Sequence, residues 1–155
     1  MIDYTKTARV RHTELFIAMT PGVVYTDSDI SVGTPSPDTD HKGYNTSVVV
    51  TPSNGIVFVP RRTFHYNRID LAVYMSQFSA LTLSAPGAVT THDVLGAILA
   101  QFDLALDTDD IENYVIVGNR CVIKATPHSL GWTGIVAFSL VEGVNTAYRL
   151  VLDEQ

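Results

Sequence analysis

Apolar and polar positions fall in short blocks along most of this chain, and at one place the period changes. Residues 14–20, ELFIAMT, form an apolar run closed by Pro21 and Gly22, which predicts a buried strand and then a turn. A second short run, 22–25, precedes a polar stretch, TDSDISVGTPSPDTDHKG. With Pro35, Pro37 and several aspartates, this stretch reads as loop holding one brief strand around 30–32. Val48, Val49 and Val50 are β-branched, residues 52–55 supply a turn ending in Asn-Gly, and residues 56–59 begin a return strand. This is the strongest hairpin signal in the chain. Pro60 cannot donate a ladder hydrogen bond, so the return strand is an edge there or is bulged before residues 63–66 resume it.

Residues 80–84 alternate weakly and stop at Ala85, Pro86 and Gly87. The period then lengthens: Val94, Leu95, Ile98, Leu99, Phe102 and Leu106 recur at three and four residues, while Thr90 and Asp93 have the spacing of a cap with an acid in the first turn. This predicts one amphipathic helix over 91–106, ended by the acids from Asp107, with Thr108 capping a short further turn to Asn113. Strands are predicted again at 114–117, across a Gly118-Asn119 turn at 120–126, then at 135–141 and 147–152, with a loop over 127–134. Together these elements predict a mostly β, α+β chain: a single domain over 1–155, antiparallel and β-sandwich-like, with one helix between its strand groups.

Composition narrows the function. The chain of 155 residues is long enough to bury a core without disulfides or metal. Apolar residues make up 46 % and charged residues only 17 %, against roughly a quarter charged in an ordinary soluble domain. Such a weakly charged surface suits contact with other protein. The net charge of −6 argues against nucleic acid as a partner, since phosphate binding needs a clustered positive face. The paired cations Arg9 with Arg11 and Arg61 with Arg62 read as solvated strand ends or edge protection. No run approaches the roughly 18 apolar residues of a membrane span, and the N-terminal stretch lacks the apolar core of a secretory signal, so a cytoplasmic origin is expected. Cys121, the single cysteine, lies in the apolar run CVIKA and reads as a small core residue.

The 5 histidines include no pair with the helical or strand spacing of a metal site, so no metal and no cofactor is predicted. Asp38, Asp40 and His41 could offer oxygens and an imidazole to a cation, or serve an acid-pair hydrolase, yet they also read as an aspartate-rich turn. The run DTDDIE starts like a calcium loop but places Glu112 where glycine belongs and Gly118 where the bidentate acid belongs. No nucleophile elbow or phosphate-binding glycine loop occurs, and no catalytic residue is assigned. Two knots remain. In HYNRID, Arg68 and Asp70 stand two apart and share a face of extended chain, with Tyr66 anchoring them. In SLGWTG, Trp132 is either a plug over the core or an interface anchor. Trp132, Tyr66, Arg68, Asp70, Arg61 and Arg62 are therefore the interface candidates, and Trp132, Tyr66 and the aspartate-rich loop are also the candidate sugar-contacting set of a carbohydrate- or receptor-binding module.

Taken in order, NTSVVV and HYNRIDLA, then HDVLGAILAQFDLALDTDDIEN, then SLGWTGIVAFSL resemble segments of small virion structural proteins of large tailed bacteriophages, over roughly residues 31–141. The chain departs from that pattern at Pro60, Arg61 and Arg62, in place of a glycine-containing turn, and at Ile135 in place of serine. The resemblance implies a non-enzymatic part of a phage particle, localised to the virion and in contact with other virion proteins as a homo-oligomer or array. Capsid decoration, tail and baseplate all stay open, with a lean to the head. Residues 1–13 and 147–155 are then the expected assembly arms.

Overall fold

The computed structural model describes residues 2–18, 30–52 and 61–141. The short apolar run at 22–25, the predicted strands at 56–59 and 147–152 and the C-terminal arm lie outside them. In chain order the elements are α1 (Ala8–Ala18), β1 (Ile30–Val32), β2 (Ser36–Pro37), β3 (Thr46–Pro52), β4 (Arg62–Tyr66), β5 (Ile69–Asp70) and α2 (Leu71–Met75). There follow β6 (Thr82–Leu83), a 3-10 turn (Thr91–Val94), α3 (Leu95–Phe102), β7 (Arg120–Lys124), β8 (Trp132–Thr133) and β9 (Ile135–Leu140). The fold is mostly β, in the α+β class, as the sequence pattern predicts.

β3 is the centre of the first sheet. β4 pairs antiparallel along one edge, Thr46 opposite Tyr66 and Val50 opposite Arg62. β1 and β2 pair antiparallel with β3 as well, at 50–52 and 46–47. Those stretches overlap the β4 register, so β1 and β2 must share the other edge. Thr46, Val48 and Val50 are buried while Ser47 and Val49 are less so, the period-2 alternation of a strand with one face on the core. A third sheet element, β9, runs between β6, to which it is parallel, and β7, to which it is antiparallel. Cys121 faces Phe138 and Ile123 faces Val136 across this ladder, and all four are buried. Burial pushes the Cys121 thiol up to about 11, in keeping with a small core residue. A short parallel pair, β5 with β8, joins the two sheets' ends.

The structure departs from the sequence pattern in several places: residues 114–117, read as a strand, form only isolated bridges at Val115 and Val117, and the loop read over 127–134 holds β8. Residues 8–18 are helical, where 14–20 read as a strand: Thr7 caps the segment, its hydroxyl and carbonyl accepting the N–H groups of Val10 and Arg11. The inward positions are Ala8, Thr13 and Phe16, so the apolar run ELFIA straddles two faces and leaves Leu15 exposed. Residues 2–13 are not a free arm. Ala8 is fully buried, and Tyr4 packs its ring 5.8 Å from Trp132 and 4.7 Å from Tyr74. The helix predicted over 91–106 is a 3-10 turn plus α3 and stops at Phe102, where Asp103 turns left-handed at φ 53° and donates its N–H to the Leu99 carbonyl. Leu104, Ala105 and Leu106 are all buried, and three successive residues cannot share one helix stripe, so the chain goes on extended with the Ala105 N–H bonded to the Tyr4 carbonyl. Finally α2 carries no clear periodic signal; Asp70 makes it by accepting the N–H groups of Ala72 and Val73.

Candidate functional site

On β3 the inward residues belong to the core, and the outward row carries polar side chains. Ser36 stands opposite Ser47 and Ser47 opposite His65, so these three share the outer face. Asp38 lies two residues beyond Ser36 and its N–H is bonded to the Asn45 carbonyl, which continues the β2–β3 pairing and keeps Asp38 on that face. Asp38 then turns the chain: its Oδ1 accepts the N–H groups of Asp40 at 3.1 Å and His41 at 3.2 Å, and Gly43 at φ 94° completes the return. The turn brings His41 back over its own strand and onto the ring of His65.

The result is a cluster the sequence analysis did not assemble. His65 Nδ1 lies 2.6 Å from Asp38 Oδ2, and His41 Nδ1 lies 3.2 Å from Asp38 Oδ1. The two imidazoles stack with centroids 3.6 Å apart and planes 28° from parallel. The Asp38 side chain is only 4 % exposed, whereas that of His41 is 52 % exposed, so the cluster has a buried acid and an open imidazole rim. Burial opposes ionisation of Asp38, but the hydrogen bonds from His65, the Asp40 and His41 amides and the His41 ring outweigh it and hold its carboxyl down at about 2. The ionised carboxylate is thus fixed in place, and each imidazole has one nitrogen on it and another to spare. Such a set can orient an imidazole as a base or hold a metal. Asp40, paired with Asp38 in the sequence reading, contributes its amide and not its carboxylate. His65 stands in the HYNRID knot, but nothing local links it to Asp38, which is 27 residues away and joined to it only by the β2–β3–β4 register.

The interface candidates fall elsewhere. Trp132 has no exposed surface: it packs edge-on to Tyr74 at 5.3 Å inside the core, so it is the plug and not a surface anchor or a sugar platform. Tyr66 is half-buried, with its hydroxyl enclosed and its pKa raised to about 12 by burial. Arg68 donates to the Thr46 hydroxyl at 3.1 Å and to the carbonyls of Pro127 and Ser129 at 3.2 and 3.3 Å, clamping the 127–129 loop onto β3. Asp70 instead caps α2, accepting the N–H groups of Ala72 and Val73. These two residues do not act on one partner, as their shared spacing suggested; each closes a separate loop. Arg61 and Arg62 are exposed at the start of β4.

Fold and cluster define a small, mostly β domain with an imidazole–carboxylate cluster on the outer face of one sheet. The chain belongs to the family of unknown function DUF7941, which matches over residues 1–154. No curated protein and no solved structure matches it. No helix among the described residues is long and apolar enough to cross a membrane.

Proposed function

We propose that this chain is a non-enzymatic structural subunit of a tailed-phage virion, held in the particle by protein–protein contacts. A head-associated place, such as capsid decoration, is preferred over tail or baseplate. The observation that carries this reading is a strip of uncovered apolar side chains. Val115 and Val117 are 69 % and 79 % exposed, and Tyr114 and Val89 beside them are exposed too. The strip is continuous because Thr90 bridges Val115 and the Ile116 N–H bonds the Val89 carbonyl at 2.9 Å. Neighbouring large apolar groups left in water mark a surface that is covered in use. The low charge content and the phage-like order of motifs support the same reading.

The test is co-sedimentation of the purified protein with emptied phage heads and with isolated tails, beside mass spectrometry of purified particles. Saturable binding to heads is expected. Absence of the protein from particles overturns the reading, and binding to tails alone moves the subunit there.

A further inference from the structure

We propose that Asp38, His41 and His65 form a binding site for a divalent d-block cation of the zinc type. Each residue offers one ligand atom, and the three atoms lie within 4.8 Å of one another. Two ligands on a tetrahedral zinc with bonds of about 2.0–2.1 Å stand about 3.3 Å apart. His65 Nδ1 stands 2.6 Å from Asp38 Oδ2 and His41 Nδ1 3.2 Å from Asp38 Oδ1, so both imidazoles already face the carboxylate at about ligand spacing, although each now meets a different oxygen. Small rotations of two side chains suffice, and His41, on an exposed turn, is free to make them.

The donor set selects the metal class. Two imidazoles with one carboxylate suit zinc, cobalt, nickel or copper, while calcium and magnesium take oxygen. In the tautomer that carries its proton on Nε2, the Nδ1 of each imidazole offers a lone pair to a metal. The outer shell is also built. The Asp40 and His41 amides donate to Asp38 Oδ1 and fix the carboxylate's orientation, the arrangement by which metal sites hold their ligands.

Three protein ligands leave a fourth position on a tetrahedral ion, and the half-exposed His41 puts the site at the surface. A bound cation therefore ties the 38–41 turn to β4 and presents one exchangeable position at the surface, for water or a donor from another chain.

The experiment is calorimetric titration of the full chain, stripped with chelator, with zinc chloride, alongside the visible absorption of the cobalt-loaded protein. One site per chain is expected, with a cobalt ligand-field band, and His41→Ala should weaken zinc binding at least about tenfold and abolish the band. His65→Asn should do the same, and His128→Ala should do neither. His41 lies on an exposed turn, so its variant keeps the fold and decides the matter even if the His65 variant does not. Zinc affinity and cobalt absorption unchanged in His41→Ala, or no saturable zinc binding to the parent chain, overturns the proposal.

Discussion

The Ser129 hydroxyl donates a 2.7 Å hydrogen bond to the Asp110 carboxylate and accepts, at 3.1 Å, the backbone N–H of Trp132. Asp110 uses its other oxygen on the Asp107 N–H at 2.9 Å. Both side chains are buried, so this relay seats the buried tryptophan by satisfying polar groups that water cannot reach. Removing the hydroxyl in Ser129→Ala strands one carboxylate oxygen and one amide. The expected cost is about 1–3 kcal/mol in urea unfolding, with the slope unchanged.

The same carboxylate sets a pH dependence. Burial pushes the Asp110 pKa up, partly offset by the Asp107 amide and Ser129, with Asp107 and Asp109 adding repulsion. A carboxyl raised in the folded state binds its proton more tightly there than in the unfolded chain. Its penalty is therefore full above the folded pKa and is relieved as pH falls toward the ordinary value of 3.8. The parent should gain stability relative to Asp110→Asn, in melting curves, as pH is lowered through this window. Parallel curves would show that Asp110 carries no such penalty.

Gly134 adopts φ 84°, and a methyl group there would run into the Asp70 carboxylate that caps α2. Gly118 is also left-handed, at φ 65°, but faces open space. Gly118→Ala should cost the backbone term alone, about 1–2 kcal/mol, and Gly134→Ala at least about 1 kcal/mol more through the displaced cap. Equal melting temperatures for the two variants would mean that Asp70 yields without loss.

Val117→Asp places a charge in the exposed apolar strip. Thermal stability should stay within about 0.5 kcal/mol of the parent, because the side chain touches no core. Binding to phage heads should fall sharply in co-sedimentation. Undiminished binding would place the contact surface elsewhere on the molecule.

What could be read from the sequence was local. Three valines mark β3, but a turn at 52–55 does not give its pairing, since Val50 stands opposite Arg62 and Val48 opposite Phe64 rather than residues 56–59; the periodic stretch from Thr91 to Phe102 reports a real helical face. The stretch ELFIA misleads because four apolar residues in a row have no period, and Phe16 alone among Leu15, Phe16 and Ile17 is buried. The end of α3 was hidden because Leu106 keeps helical spacing while being buried for another reason, as part of an extended segment. The Asp38–His65 contact needed a register no local pattern encodes: β2 is two residues long and includes a proline, so it reads as loop. The arginine–aspartate spacing in HYNRID was visible, but which loop each residue closes depends on where 127–129 and 71–75 lie in space.

The parallel pairings set the order in which this protein can be made. β5 is joined to β8, Ile69 opposite Trp132, and β6 to β9, Thr82 opposite Ser139, across roughly two-fifths of the chain. Leu71, Met75 and Leu83 emerge from the ribosome long before Trp132, Val136 and Phe138 exist to cover them. Contacts so distant close slowly, because the intervening loop must be ordered before any of them contributes. The nascent chain therefore spends most of its synthesis with its future core unsealed, and the last described strand is the one that shuts it.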